Sequence, residues 1–191
     1  MRLLRVAAVL VLAGCGTSPV PDLYTLTAMP GPAHATRPIS LELRRIGLAG
    51  YLDRPEIVRG TTQNRLRVSD IDRWGESLTR MMERVLTEDL VERLPQASVF
   101  AESGAISTRP DMVLEIDIQR LDEDSDGTLV LLAQIAVRPD GTNAGGANAT
   151  ARTVRIVRAV GDTTTEAQVS AMSVSIGELA DALAGQIASA H

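Results

Sequence analysis

The sequence predicts an α+β domain: an antiparallel sheet with two main helices packed on one of its faces. Three observations carry that prediction. Residues alternate between apolar and polar at 39–43, 112–119 and 129–137, the period of strands with one buried face. From Trp74 to Leu94, and again from Val169 to Ile187, apolar residues recur at three- and four-residue steps, the period of helices with one buried stripe. The order of these segments, strands, then a helix, then strands, then a helix, points to helices lying on one face of an antiparallel sheet.

Taken in order, Tyr24-Thr25-Leu26 is a candidate first extended segment, followed by a loose proline-rich stretch from Met29 to Pro38 that includes His34. Ile39, Leu41 and Leu43 form the first clear strand, which Ile46 and Leu48 continue. Glu56 to Arg59 and Arg65 to Val68, separated by Gly60-Thr61-Thr62-Gln63-Asn64, read as a hairpin. Trp74 is expected to anchor the start of the first helix in the core. That helix buries Leu78, Met81, Met82, Val85, Leu86, Leu90 and Leu94, sets Arg80, Glu83, Arg84, Glu88 and Arg93 on its far side, and stops at Pro95. Ala97 to Ala101 is a short strand. Met112 to Gln119 and Leu129 to Val137 pair as a hairpin across an acidic turn. Pro139-Asp140-Gly141 turns the chain into a mobile Asn143 to Ala149 stretch, and Thr153 to Val160 is the last strand, its arginines at 152, 155 and 158 marking a face or edge in water. Thr163 with Glu166 fits a capping box opening the second helix. That helix has a narrow apolar stripe, and its Ala/Ser surface is open to two readings, core packing or close approach by another subunit.

The N-terminus has the anatomy of an export signal. Met1-Arg2 to Arg5 is cationic, Val6 to Leu12 is an apolar run too short to span a bilayer, and Ala13-Gly14 precede Cys15, the only cysteine. The stretch Leu12-Ala13-Gly14-Cys15 resembles the bacterial lipobox, which implies cleavage before Cys15 and its modification by a diacylglycerol and an N-acyl chain. Several acyl chains together make release from a membrane negligible. Gly16 and Thr17 stand where an aspartate would resemble an inner-membrane retention signal, so the expected location is the periplasmic face of the outer membrane. The expected organisation is a signal peptide at 1–14, a lipidated N-terminus, tether and first extended segment at 15–38, and a single α+β domain at 39–191.

Composition narrows the function classes. Processing takes the basic count from 19 to 17 against 24 acidic residues, a net charge of −7 that disfavours nucleic acid. With Trp74, Tyr24, Tyr51 and Phe100 as the only aromatics, stacking platforms are lacking as well. Acylation of Cys15 leaves no thiol for a disulfide, a nucleophile or a metal. His34 in a loop and His191 at the terminus are poorly placed as general bases, and all 19 basic residues are arginine, so a Ser-Lys mechanism has no lysine. No catalytic site, metal site or cofactor beyond the acyl chains is expected, and the protein is read as not an enzyme. Asp122, Asp124, Asp126 and Gly127 match the first half of an EF-hand loop, but Ala133 stands where its glutamate should be. A solvated hairpin tip turning at Asp126-Gly127 is the first reading there, and weak calcium binding is the alternative.

Tyr51-Leu52-Asp53-Arg54-Pro55-Glu56-Ile57-Val58-Arg59, then Asp72-Arg73-Trp74-Gly75-Glu76-Ser77-Leu78 and the helix ending in Leu94-Pro95, resemble the ABC-type transport auxiliary lipoproteins, the PqiC/YmbA family. The Tyr24-x-Leu26 start, the Leu114 to Leu121 strand with its acidic turn and the closing helix are similar to that family too. Gly75 stands where alanine is commoner and Ser77 where proline is frequent. The resemblance implies a non-catalytic, outer-membrane-anchored periplasmic component of an MCE/ABC-type intermembrane lipid transport system. Its implied partners are the MCE channel protein and its inner-membrane permease and ATPase, with a homo-oligomer as a further possibility. Tyr51, Leu52, Arg54 and Pro55 are the candidate partner-binding residues, with a structural loop fixed by the Arg-Pro step as the competing reading. A structural or chaperone-like lipoprotein assisting outer-membrane or cell-wall assembly is the alternative function.

Overall fold

The sheet is built around β7 (Met112–Glu123), which pairs antiparallel along its whole length with β8 (Thr128–Pro139), from Met112↔Pro139 to Glu123↔Leu129. β8 in turn pairs antiparallel with β9 (Thr150–Ala159). The computed structural model describes residues 20–62, 64–106, 108–140 and 150–189. The expected signal peptide, Cys15, the Asn143 to Ala149 stretch and His191 lie outside them.

The other edge of β7 is shared by three segments in succession. β2 (Ile39–Leu43) pairs with its start through Leu41↔Met112, β3 (Gly47–Leu48) with its middle through Gly47↔Asp117, and β4 (Glu56–Thr62) with its end at Gly60↔Glu123, all parallel. β2 and β3 thus form one strand interrupted by a single-residue slip, as the Ile46 and Leu48 continuation predicts. β5 (Arg65–Trp74) closes a hairpin with β4, and β1 (Leu23–Tyr24) adds to it in parallel at Leu23↔Arg73 and Tyr24↔Trp74. β6 (Ala97–Ala101) lies parallel to β2. The long ladders are therefore antiparallel as expected, while the short pairings that join distant segments are parallel. Hairpins leave a local signature in sequence, whereas parallel pairing needs a long crossover and leaves none.

Trp74 ends β5 instead of opening the helix: its N–H donates to Pro55 O at 2.8 Å while its ring is buried in the core. α1 runs Leu78–Arg93, and Leu94 N–H closes its last turn on Leu90 O before Pro95 ends it. Its apolar stripe is buried as predicted. Glu83 and Arg93, expected on the far side, are buried as well.

α2 (Thr165–Ser189) is capped by Thr164, whose Oγ1 accepts from Ala167 N–H at 3.2 Å. The predicted box of Thr163 and Glu166 does not form. Thr163 O is taken by the Arg59 guanidinium, and Glu166 accepts from the Tyr24 hydroxyl at 2.8 Å. The helix is buried around most of its circumference, so its Ala/Ser surface is occupied from within the chain. On one side lie β8 and β9, on another α1, and across both helices runs the segment between β1 and β2. Gly177 makes room for that strap, since a Cβ there would sit 2.8 Å from the Met29 Cβ.

Candidate functional site

The predicted partner-binding loop follows β3, and its local sequence sets its shape. Leu52 N–H donates to Ala49 O and Arg54 N–H to Leu52 O, a compact double turn that bends through Arg54 and Pro55 into β4. Leu52, at 2% exposure, points into the core, so it holds the loop in place while Arg54 and Pro55 remain at the surface. Tyr51 turns away from them.

Arg54 and Pro55 line a groove of about 390 Å³ with Asp53, Trp74, Glu76, Ser77 and Leu78, at the N-terminus of α1. Ser77 makes no capping hydrogen bond through its side chain, and the first turn of α1 carries no acidic residue, so the positive end of the helix faces this groove. Glu76 is held by Arg84 at 3.4 Å. Arg54 Nε is shielded from solvent and has no hydrogen-bond partner among the described residues. The groove therefore offers an uncommitted guanidinium beside proline and tryptophan, a combination suited to contact with another protein.

Tyr51 lines a second hollow of about 520 Å³ with Thr61, Asn64, Leu66, Gln119, Arg120, Asp122 and Asp124. Burial, and then the charge of Asp122, push its hydroxyl pKa up to about 12. The structure thus divides the four candidates between two surfaces and the core.

The acidic turn has the predicted hairpin geometry: Asp124 N–H donates to Thr128 O, Gly127 N–H to Asp124 O, and Gly127 takes φ +76°, which glycine permits without strain. The expectation of a solvated tip needs correcting at Asp122, which is only 1% exposed. Its carboxylate accepts from Arg120 Nε at 2.5 Å and Thr61 Oγ1 at 2.9 Å, while the same guanidinium reaches Asp124 at 2.6 Å. These acids are committed to an arginine, and no group of three or more His, Cys, Asp or Glu side chains placed to hold a metal occurs among the described residues.

Two polar networks went unforeseen. At the start of α2, Asp72 accepts from Thr165 Oγ1 at 2.5 Å and Ser69 Oγ at 2.7 Å, and the Thr165 hydroxyl holds the Asp72 carboxyl below the usual carboxylate range. The second network is centred on Arg93, 1% exposed. Its guanidinium donates to Asp181 Oδ1 at 2.5 Å, Met29 O at 2.9 Å, Asp89 O at 3.1 Å and Gly177 O at 3.2 Å. Asp89, fully buried, accepts from Met29 N–H at 2.7 Å, and Arg93 O accepts from His34 N–H at 2.7 Å. Burial pushes the Asp89 carboxyl up, against the pull of the Met29 N–H and Arg93. One side chain thereby ties α1, α2 and the strap together. Its sequence signal was the spacing of Met82, Leu86, Asp89 and Arg93, which continues the buried stripe.

Comparison with known proteins agrees with this architecture. A family model described as the ABC-type transport auxiliary lipoprotein component matches residues 24–184. The curated proteins contain no match. The crystal structure of an uncharacterised protein superposes with a TM-score of 0.74 at 14% identity, covering 88% of this chain and 99% of that one. A DUF330 protein from Xanthomonas campestris gives 0.71 at 20% identity, covering 86% of this chain and 93% of the other. The PelC dodecamer subunit from Paraburkholderia phytofirmans gives only 0.44 at 14% identity, with 81% and 94% covered. The two closer superpositions establish the fold alone.

Proposed function

We propose that this chain, which belongs to the ABC-type transport auxiliary lipoprotein family, is a non-catalytic periplasmic adaptor held on the inner face of the outer membrane by acylated Cys15. There it docks the MCE channel protein of an intermembrane lipid transport system. The observation that carries this reading is the family match over residues 24–184, almost the whole chain beyond the expected signal and tether. The chemistry of the described residues supports it. Asp72, Asp89, Asp122 and Asp124 are bound to arginines, hydroxyls or backbone amides within the fold, which leaves them poorly placed for acid-base work. Among the described residues no helix is long and apolar enough to cross a membrane, so attachment is assigned to the acyl chains.

The groove at Arg54 and Pro55 is assigned as the docking site. Arg54→Glu reverses a charge that supports no contact within the fold, so it is expected to leave the melting temperature unchanged. It should nevertheless abolish co-purification with an MCE-domain protein. Retention of an outer-membrane β-barrel or of peptidoglycan, with no MCE-domain protein recovered by the wild type, would favour the chaperone-like reading and overturn this one.

A further inference from the structure

Large apolar side chains are exposed at seven places among the described residues, and four of them, Val20, Leu23, Leu66 and Ile71, belong to β1, its approach and β5. β1 covers β5 only at Arg73 and Trp74, so from Arg65 to Asp72 that edge carries no strand among the described residues. Ile71 lies two residues from the register partner of Leu23. At the other end, Leu66 is flanked by Arg65 and Arg67, both exposed and neither in an ion pair among the described residues.

The path of the chain says what this surface meets. Because β1 is parallel to β5, the residues before Leu23 approach from the side of the β4–β5 turn. Val20 is five residue steps beyond Cys15, a span of at most about 17 Å. An acylated residue 15 therefore keeps the β5 edge within reach of headgroups, where even a weak surface contact becomes effectively intramolecular.

We propose that the edge of β5 from Arg65 to Ile71, with Val20 and Leu23 beside it, lies against the anionic phospholipid surface that holds residue 15. This rests on the acylation of Cys15 proposed above. Arginines bracketing a leucine suit that interface: the apolar side chain enters the boundary region and the guanidiniums stay among the phosphates. The acidic β7–β8 turn is at the same end of the sheet, because β4 meets β7 at Gly60↔Glu123. Asp124 there is neutralised by Arg120 and exposed Asp126 is repelled, whereas the β5 edge sets exposed Arg65 and Arg67 against one exposed carboxylate, Asp70, and this balance tips the contact toward β5.

Acylation consumes the only thiol, so Leu66→Cys, Ile71→Cys and, on the distant β9, Val157→Cys each give one labelling site in the full-length lipoprotein. Nitroxide labels are read in vesicles of phosphatidylethanolamine and phosphatidylglycerol, with mass analysis of residue 15 on the same sample. Labels at 66 and 71 are expected to lose collisions with a water-soluble nickel chelate that the label at 157 retains. In the first of these, adding Arg65→Glu and Arg67→Glu is expected to restore the collisions. Equal nickel access at all three sites with residue 15 acylated overturns this proposal and leaves the anchor standing. Protection at 66 and 71 that depends on protein concentration and not on lipid assigns the edge to a second copy and overturns it too. A residue 15 without acyl chains overturns both readings.

Discussion

Replacing Arg93 by methionine keeps most of the side-chain volume and removes the guanidinium that joins both helices to the strap. Four hydrogen bonds go with it, to Asp181 Oδ1, Met29 O, Asp89 O and Gly177 O. Asp181 is 39% exposed and can turn to water, and Asp89 O is also an acceptor within α1. Asp89 itself is fully buried 3.6 Å from Arg93 Nη1, so its carboxylate is left beside an uncharged neighbour. Breaking a buried pair from one side costs about 3–5 kcal/mol, a large part of the roughly 5–15 kcal/mol that holds an ordinary domain folded. Urea unfolding followed by the fluorescence of buried Trp74 measures this directly. The loss is expected in the midpoint with the slope unchanged. Adding Asp89→Asn to Arg93→Met should recover part of the loss, since the orphaned charge disappears. A loss below about 1 kcal/mol for Arg93→Met, the size of an ordinary surface contact, refutes the view that Arg93 fastens the helix layer.

Asp89→Asn alone tests the same place by pH. The folded state raises the Asp89 carboxyl, so it holds its proton more tightly than the unfolded chain does. Its contribution is favourable below the ordinary carboxylate pKa of about 4 and is lost as pH rises through the higher folded value. The stability of wild type relative to Asp89→Asn should therefore increase on acidification from neutral pH, and a difference that stays constant contradicts the assignment. For α2, Thr164→Ala should cost about 1 kcal/mol as the loss of a cap, whereas Thr163→Ala should stay within about 0.5 kcal/mol, as for an exposed side chain. Thermal melts of the two variants decide which threonine starts the helix.

Local patterns were legible where one element alone determines the outcome. The α1 stripe ending at Pro95, the β7–β8 hairpin and the turn at Gly127 all follow from short-range periodicity and turn chemistry. What escaped depends on partners far along the chain. Arg93 reads as a solvent-facing charge until Asp181, Met29 and Gly177 are brought around it. Thr163 reads as a cap until Arg59 claims its carbonyl. The small residues of α2 left open what covers them, because glycine and serine permit close approach without naming the neighbour. At the candidate site, the family resemblance marked the loop, but not that Leu52 would be buried and Tyr51 turned toward a different surface.

The parallel pairing of β1 with β5 has a mechanical consequence. Arg73 N–H donates to Asp22 O and Gly75 N–H to Tyr24 O, and both bonds lie across the strand direction. A pull on the chain ahead of Leu23, directed along the strand, loads them together in shear instead of peeling them one after another. Behind them the strap is fastened again at Thr27, Met29 and His34. Tension arriving from the N-terminal side therefore spreads into the sheet and both helices before any single bond carries it alone.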